Sequence, residues 1–400
     1  MRALNPISPR NRIVLLSLGL VSLTSGEVPP GSAVDRIVYH LSEEFRLRNV
    51  PFLLLDVAPK SSPRGIVAHR STESNPFSKY RELQGIAEVW FATKNLLTIL
   101  RMSIGTEASL IHIHVSYQLL VVAIMRRILG LKIKLLYATH NHSTIMARGH
   151  FEGVRLRSRV AERLALRVAD HVVVPTPTAK RRLMDDYAIA SEKVSVVPAG
   201  VDTARISRLA ELHTNRRSSD LLLCVARIEK RKNQISLLKA VRELKMQGID
   251  VVVKMVGPTE DPQYLSELIS YAKSNALSVF YLGTVPEEEL DNLYLSATIM
   301  VFPTLQEMQG LVIAESLAFG LPVITSAIEP ISDVVGKDGA AILVPPENHF
   351  ELANSIEKVL RNPALRSELA FNGRNLVRAK YTWKEIATQT LSVYEKLLQD

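Results

Sequence analysis

Cysteine is nearly absent from this chain of 400 residues, and its scarcity excludes two kinds of protein. With Cys224 as its only cysteine, the chain has neither a disulfide framework nor a zinc site built from cysteines. Cys224 lies inside an apolar run, where it is expected to be buried. A chain without disulfides fits a reducing compartment, so we expect a cytoplasmic protein.

Long apolar segments are also lacking. A membrane-spanning helix needs about 18 or more apolar residues with few charges. The longest candidate, residues 119–137, contains four Lys or Arg residues, so no membrane-spanning helix is predicted.

The beginning of the chain superficially resembles a secretory leader, because arginines precede the apolar run at residues 13–23. However, no small-residue cleavage site follows this run. It leads instead through a loop rich in Gly and Pro to an amphipathic segment, residues 33–46. We therefore interpret it as the first strand, loop and helix of an α/β domain.

Acidic residues are scarce in the first half of the chain. Residues 1–200 carry 27 Lys and Arg against 15 Asp and Glu, whereas residues 201–400 carry 22 against 25. This asymmetry predicts a face that meets an anionic partner, such as lipid headgroups, a phosphorylated acceptor or nucleic acid. A solvated helix face with paired acids is the alternative. The densest basic cluster comprises Arg148, Arg155, Arg157, Arg159, Arg163 and Arg167.

Aromatic residues make up only 6% of the chain, and few of them lie among the basic segments. Proteins that bind single-stranded nucleic acid stack bases on interleaved aromatic side chains, so we expect no nucleic-acid partner. We expect instead that the basic half associates peripherally with an anionic membrane surface, at the inner face of the cell membrane.

Short apolar runs alternate with helical patterns along most of the chain. Nearly all the runs are continuously apolar, as expected of parallel strands covered by helices on both faces. The pattern predicts two doubly wound, Rossmann-like α/β domains facing each other across a cleft, with a linker at residues 198–220. The predicted strands are residues 12–17, 51–57, 109–115, 132–139, 171–174, 193–197, 221–226, 250–256, 278–282, 298–302, 322–326 and 341–344.

Two glutamates flank the predicted start of a helix in the second half. The helix should begin near Gly310 and end at Gly320, so that the backbone N–H groups of Leu311 and Val312 can hold phosphate. Glu307 precedes the helix and Glu315 lies about one turn inside it. Carboxylates repel phosphate but hydrogen-bond hydroxyls, which suggests a ribose or sugar ligand. The alternative is that Glu315 pairs with a cation and Glu307 caps the helix.

Two cations follow an earlier strand. Arg227 comes directly after the predicted strand at 221–226, and Lys232 lies just before the next helix. Arginine can bind phosphate oxygens with two parallel hydrogen bonds, and lysine acts as a point charge. Together they could neutralise a diphosphate, unless this segment is simply a solvated basic loop.

These motifs together resemble the retaining glycosyltransferases of family 4, which have the GT-B fold. The resemblance rests on Val225-Ala-Arg-Ile-x-x-x-Lys-Asn233, Gly283-Thr-Val285 and the segment from Glu307 to Val323. It covers essentially the whole chain, densely in the second half and more loosely in the first. It implies an acceptor-binding domain at residues 1–203, completed by a last helix at 383–398, and a donor-binding domain at 204–380. It also implies transfer of a sugar from a nucleoside-diphosphate sugar, for example one of UDP, without a metal or other cofactor.

The resemblance implies a role for individual residues. Arg227 and Lys232 match the pair that binds the donor diphosphate, and Glu315 matches the residue that holds the ribose hydroxyls. Glu307 matches the residue beside the transferred sugar. The remaining matches are Val285 at the nucleobase, Gly310, Leu311 and Val312 at the helix start, Gly31 at the donor phosphate and His140 at the sugar.

Four positions depart from the family pattern. Met308 stands where glycine is usual, and Gln309 replaces an aromatic or aliphatic residue. The first loop has Gly31-Ser32 in place of a double glycine, and Ala199 stands where asparagine is frequent. We expect these departures to affect sugar selectivity more than the type of reaction.

Three different functions also fit parts of the sequence. Two pairs of histidines, His112 with His114 and His140 with His142, lie at the ends of neighbouring predicted strands, and paired histidines can bind a catalytic metal in a hydrolase. No clear set of further ligands accompanies them. The motifs would also suit a GT-B epimerase that releases the nucleotide without transfer, or a non-catalytic nucleotide-binding protein. We expect a glycosyltransferase that builds a cell-surface polysaccharide or glycoconjugate, on a glycan, lipid-linked or small-molecule acceptor.

Overall fold

A computed structural model describes residues 12–16, 33–55, 108–114, 116–139, 156–212, 220–259 and 261–399. The chain divides into two compact units. The first contains the described residues up to Pro198 and those from Trp383 onward, and the second is Ala199–Thr382. In the first unit up to Pro198, the elements are β1 Arg12–Leu16, α1 Ala33–Leu47, β2 Phe52–Leu55, β3 Ala108–Ile113, α2 Ser116–Ile128, β4 Lys134–Ala138, α3 Leu156–Val168, β5 His171–Val174, α4 Pro177–Tyr187 and β6 Val194–Val196.

The second unit repeats this alternation of strand and helix. Its elements are α5 Thr203–Leu212, β7 Leu221–Val225, α6 Gln234–Met246, β8 Val252–Val256, α7 Pro262–Ser274, β9 Ser278–Gly283, α8 Glu287–Ser296, β10 Ile299–Phe302, α9 Leu311–Ala318, β11 Val323–Ser326, α10 Glu329–Val335, β12 Ile342–Val344, α11 His349–Arg361 and α12 Pro363–Lys380. The chain then returns to the first unit with α13, Trp383–Gln399.

Each unit has a parallel six-stranded sheet, which confirms the predicted fold class. The first sheet has the order β2-β1-β3-β4-β5-β6, and the second has the order β12-β11-β10-β7-β8-β9. In both sheets the order reverses once, at β1 and β3 in the first and at β7 and β10 in the second. Open parallel sheets bind ligands beyond the carboxyl ends of the strands at such a reversal. The fold therefore directs attention to the loops that follow these strands.

Burial explains why these runs form strands. All five residues of β7 and all four of β10 are buried, since apolar side chains cover both faces of the second sheet. One face packs in a cluster around Phe302 and Tyr294, and the other in a cluster around Leu237 and Met255. Cys224 belongs to the second cluster, and its burial raises the pKa of its thiol to about 12.

The prediction of an irregular linker at 198–220 is wrong for the ten residues Thr203–Leu212, which form the helix α5. The Asp202 side chain accepts a hydrogen bond of 3.0 Å from the backbone N–H of Arg205 near the helix start. Ile206 is buried in the core of the second unit, which gives the helix an apolar anchor. Polar residues in the segment hid this amphipathic pattern. Residues 213–219 lie outside the described part of the chain.

The second unit begins at Ala199, whereas the prediction placed the start of the donor domain at 204. Residues 199–203 belong to the second unit because they contact the end of that unit. Val201 pairs with Thr382 in an isolated bridge, and its N–H donates to the carbonyl of Tyr381 over 2.7 Å.

The last helix, α13, packs on α1 and β3 of the first unit. Trp383 stacks on His40, with ring centroids 4.8 Å apart. The Arg48 guanidinium donates to the Thr388 hydroxyl over 2.9 Å. In the part of the chain that the structure describes, no helix combines the length and apolar character that crossing a bilayer requires.

Candidate active site

The candidate site lies where β7 and β10 end side by side in the second unit. Because these strands pair directly at the reversal of strand order, the loops that follow them are neighbours. We call residues 226–233 the β7 loop and residues 303–310 the β10 loop. The predicted residues Arg227 and Lys232 lie on the first, and Glu307 and Gly310 on the second.

Hydrogen bonds tie the two loops together. The backbone N–H of Leu305 donates to the carbonyl of Arg231 over 2.9 Å. The Asn233 side chain donates to the carbonyl of Pro303 over 3.2 Å, and the Thr304 hydroxyl donates to the carbonyl of Arg231 over 3.3 Å. Asn233 itself has a left-handed backbone, with φ of 55°, as it turns the chain into α6. The loops therefore form one connected polar frame.

Within this frame the Lys232 ammonium forms an ion pair with the Glu307 carboxylate. Both side chains are about nine-tenths buried, and the Lys232 ammonium also lies 5.1 Å from the centroid of the Phe302 ring. Burial lowers the pKa of Lys232, and the nearby Glu307 opposes that shift. The free-energy cost of desolvating two buried charges can exceed the attraction between them. A contribution to stability alone therefore explains this pair poorly.

Arg227 occupies the other end of the β7 loop and is exposed. Its carbonyl accepts a hydrogen bond of 2.8 Å from the Gln234 side chain. The backbone just before it passes so close to Gly257 that a Cβ at position 257 would lie 2.1 Å from the carbonyl oxygen of Ala226. Gly257 therefore lets the end of β8 approach the backbone next to Arg227. None of the sequence motifs includes Gly257.

The β10 loop ends at the start of α9, as predicted. Gly310 caps the helix with a left-handed φ of 74°, which a residue with a side chain rarely adopts. The backbone N–H groups of Leu311 and Val312 belong to the first turn, which has no acceptors of its own within the helix. Together with the partial positive charge of the helix start, they form a suitable place for an anionic group.

Glu315 lies one turn into α9, where its carboxylate accepts a hydrogen bond of 3.2 Å from the hydroxyl of Tyr294. Tyr294 is only 1% exposed and stacks on Phe319, with ring centroids 5.0 Å apart. The buried, stacked ring of Tyr294 thus holds the hydroxyl that orients the Glu315 carboxylate. Tyr294 is a second residue that the motifs did not reveal, since it lies on α8, more than twenty positions earlier.

Gln309 has a role that its sequence position did not suggest. Its side-chain amide donates to the carbonyl of Ala199 and accepts from the N–H of the same residue, both over 2.9 Å. Gln309 is buried, as is Met308. Both ends of its amide are therefore engaged in clamping the β10 loop to the first residue of the unit. Two of the four departures from the family pattern, at positions 199 and 309, are in direct contact.

Val285 follows β9, two strands away from β7 in the sheet. It is partly buried against the core, and Gly283 before it has a left-handed φ of 64°. The carbonyl of Gly283 accepts from the N–H of Gly257 over 2.8 Å, so the turn that carries Val285 is joined to the end of β8.

The predicted residues of the first unit are only partly described. His140, His142 and Gly31 lie outside the described residues. His112 is buried, with its Nδ1 2.7 Å from the Tyr394 hydroxyl of α13, and its ring centroid lies 4.4 Å from that of His114. Over the described residues, no group of three or more His, Cys, Asp or Glu is arranged to hold a metal ion.

Taken together, the second unit places a buried cation, an exposed arginine, a helix start and two carboxylates around one reversal of strand order. Such a set can bind phosphate through its positive groups and hydroxyls through its carboxylates. The fold that carries this set is the GT-B fold of two parallel-sheet α/β domains.

Comparison with known families agrees with this description. Residues 34–205 match the model described as glycosyltransferase family 4, and residues 210–376 match the model described as glycosyl transferases group 1. The chain belongs to the family 4 glycosyltransferases, which confirms the resemblance drawn from the motifs.

Several curated relatives are similar over part of the chain. An MMP α-(1→4)-mannosyltransferase of Mycolicibacterium hassiacum is 29% identical over 238 residues, which cover 59% of this chain and 56% of the relative. The matched part therefore spans about half the length of that relative. An α-D-kanosaminyltransferase of Streptomyces kanamyceticus is 25% identical over 390 residues, covering 90% of this chain and 99% of the relative.

Solved structures share the fold. Sucrose-phosphate synthase of Thermosynechococcus elongatus superposes with a TM-score of 0.76 at 22% identity, covering 98% of this chain and all of that one. Anabaena HepE in complex with UDP and glucose superposes with a TM-score of 0.70 at 20% identity, covering 96% of this chain and 99% of that one.

Proposed function

We propose that this protein transfers a sugar from a nucleoside-diphosphate sugar to an acceptor hydroxyl with retention of anomeric configuration. The observation that carries the proposal is the buried Lys232–Glu307 pair, which joins the β7 loop to the β10 loop, the loop that leads to the start of α9. A buried cation beside a helix start suits a diphosphate, and its carboxylate partner suits the hydroxyls of the attached sugar.

In the proposed complex, Lys232 and Arg227 bind the diphosphate, together with the first N–H groups of α9. Arg227 is exposed, so its guanidinium can reorient to phosphate oxygens. Glu315, held by Tyr294, binds the ribose hydroxyls, and the backbone at Val285 contacts the nucleobase. Glu307 binds the transferred sugar. His140 and Gly31 keep the roles implied by the family resemblance, at the sugar and at the donor phosphate.

The proposed reaction takes place on one face of the sugar. The acceptor oxygen bonds to the anomeric carbon as the bond from that carbon to the diphosphate oxygen breaks, and the released diphosphate accepts the hydroxyl proton. Negative charge grows on the leaving oxygen, so the contribution of Lys232, Arg227 and the helix start is electrostatic. No step in this scheme requires a metal ion or another cofactor.

The acceptor is proposed to be a sugar, a lipid-linked sugar or a small molecule, in the synthesis of a cell-surface polysaccharide or glycoconjugate. A cytoplasmic location, with peripheral attachment to the inner face of the membrane, belongs to the same proposal. The attachment rests on the basic composition of residues 1–200, and the cytoplasmic location rests on the near absence of cysteine.

Incubation with a panel of nucleotide sugars labelled in the sugar, with and without simple glycan acceptors, tests the proposal. We expect labelled product only with acceptor, and an anomeric configuration in the product equal to that of the donor by NMR. Isomerised free sugar without acceptor would indicate the epimerase. Binding that raises the unfolding temperature, with no turnover on any acceptor, would indicate a non-catalytic nucleotide-binding protein.

A Glu315→Gln variant sharpens this test. The amide retains the shape of the side chain but loses the charge that strengthens hydrogen bonds to ribose hydroxyls. We expect about tenfold to a hundredfold weaker donor binding, since such bonds are worth about 1.5–3 kcal/mol. A donor that contains deoxyribose should bind wild type and Glu315→Gln equally, whereas the ribose donor should bind the variant more weakly. This result would assign the loss of affinity to the ribose hydroxyls.

A further inference from the structure

The helices α2 and α3 of the first unit present an unusual surface to solvent. They pack against each other and connect the consecutive strands β3, β4 and β5, so both lie on the same side of the sheet. We call their solvent-exposed residues the α2–α3 face. It consists of Ile124, Arg127, Ile128, Leu129 and Lys132 on or just after α2, and Arg159, Val160, Arg163, Leu164 and Arg167 on α3.

Half of this face is apolar. Ile128 is 69% exposed, Ile124 58% and Val160 50%. Single exposed aliphatic residues are common on protein surfaces, but five on or next to two packed helices form an exposed apolar patch. On α3 the exposed positions recur at the spacing of a helical stripe, so arginine and aliphatic side chains share one line along the helix.

The other half of the face is entirely cationic. Residues 116–132 contain no acid, and the one acid of α3, Glu162, is buried and accepts a hydrogen bond of 2.7 Å from the Tyr187 hydroxyl. Arg126, which points away from the face, pairs with Asp170. The five cations of the face therefore have no exposed acid on either helix to neutralise them.

A helix of the second unit shows that this pattern is not a general property of the chain. The exposed positions of α11 include Glu351 as well as Lys358 and Arg361, and Arg361 pairs with Glu357 at 2.8 Å. An ordinary solvated helix mixes charges of both signs in this way. The α2–α3 face does not.

We propose that the α2–α3 face docks on an anionic lipid bilayer. Aliphatic side chains enter the boundary between headgroups and acyl chains, while arginine and lysine side chains extend to the headgroup phosphates. Both kinds of side chain are needed. Cations without apolar anchors bind a bilayer weakly, and apolar anchors without cations do not select anionic lipid. This docking rests on the membrane attachment included in the proposed function and assigns the surface that makes it. Because the face shares no residue with the candidate active site, vesicle binding and sugar transfer can fail separately.

Sedimentation with vesicles tests the docking. The full-length protein is mixed with vesicles of phosphatidylcholine alone and of phosphatidylcholine with phosphatidylglycerol, at low and at physiological salt. We expect binding only to the anionic vesicles, weakened but retained at physiological salt, since screening acts on the cations and not on the aliphatic anchors. Equal binding to both vesicles, or to neither, would overturn the proposal.

Two sets of variants separate charge from apolar insertion. Replacing Arg159, Arg163 and Arg167 with Gln should weaken binding to anionic vesicles about a hundredfold, at roughly fivefold for each cation. Replacing the same three with Lys should restore most of it. Replacing Ile128, Val160 and Leu164 with Ser should abolish the binding that remains at physiological salt. All these side chains are exposed, so unfolding temperatures should stay the same.

A matched control uses the second unit: Phe350→Ser with Lys358→Gln and Arg361→Gln changes one exposed aromatic and two exposed cations on α11. This variant should bind vesicles like the wild type. If the control loses binding as strongly as the face variants, the attraction is general and the assigned face is wrong. If the apolar variant instead converts a dimer to a monomer by light scattering, with vesicle binding unchanged, the face is an interface between two copies and the proposal is overturned.

Discussion

The β7 and β10 loops and the α2–α3 face both concentrate positive charge, but they treat it in opposite ways. In the loops, Lys232 is buried, paired and surrounded by hydrogen bonds that fix the backbone on both sides. On the face, five cations stand in solvent without exposed acidic neighbours on the same helices. A buried charge depends on its partner and acts at one point, whereas exposed charges act together and weaken with salt.

The largest expected effect comes from removing the buried cation. Lys232→Met should lower turnover about a hundredfold to a thousandfold, as the loss of one preorganised charged or hydrogen-bonding group typically does. It also leaves Glu307 buried without its partner, which should destabilise the fold. The double variant Lys232→Met with Glu307→Gln should recover the unfolding temperature without recovering activity. Full activity in that double variant would show that the pair is structural.

Gln309→Leu should have the next largest effect, because it leaves the N–H and the carbonyl of Ala199 without their shared partner. We expect a loss of about 2–3 kcal/mol in the free energy of unfolding. Gln309→Glu serves as the control, since it retains an acceptor for the N–H but loses the donor to the carbonyl. Equal stability of Gln309→Leu and the wild type would contradict the clamping role.

The carboxyl of Asp291, which interacts electrostatically with Glu315, should make the free energy of unfolding depend on pH. Burial raises the pKa of its carboxyl from 3.8 to about 6, against the opposing effect of Arg205. Because the folded state binds the proton more tightly, this group's contribution to stability should decrease as pH rises from about 4 to 6. We expect wild type to lose about 2 kcal/mol relative to Asp291→Asn across this range. An unchanged difference in unfolding free energy would contradict the shift.

Tyr294→Phe should have the smallest effect. It removes the hydroxyl that donates to Glu315 but keeps the ring stacked on Phe319. Donor affinity should fall by about 1 kcal/mol, the usual net worth of a single hydrogen bond, with little change in stability. Tyr281→Phe is the control, because it also removes one tyrosine hydroxyl, which donates to the carbonyl of Gly257 instead of to Glu315. A larger loss of affinity in the control would assign the effect to packing.

The fold could be predicted well from the sequence because its strands leave a clear pattern. Each of the twelve predicted strands is present, since parallel strands covered on both faces produce short, continuously apolar runs. The helix between Gly310 and Gly320 was equally clear, because glycine marks both of its ends. The helix α5 was missed because Arg205, Arg208 and Glu211 interrupt its apolar residues.

Parts of the site could not be predicted from local patterns. The contact of Gln309 with Ala199 joins residues 110 positions apart, and that of Tyr294 with Glu315 joins two different helices. Gly257 matters through a close approach of two strand ends, which only the folded backbone displays. Motifs identify groups that meet a ligand, but the residues that hold those groups in place depend on tertiary packing.

Binding of a nucleotide's diphosphate by the β7 and β10 loops is the central claim, and calorimetric titration with nucleoside diphosphates tests it most directly. Uridine, guanosine, adenosine and thymidine diphosphates are titrated into wild type, Lys232→Met with Glu307→Gln, and the α11 control variant. We predict that at least one nucleotide binds wild type and control alike, and binds the loop variant at least tenfold more weakly. Binding of a nucleotide with equal affinity by all three proteins would contradict the claim, as would no binding by any.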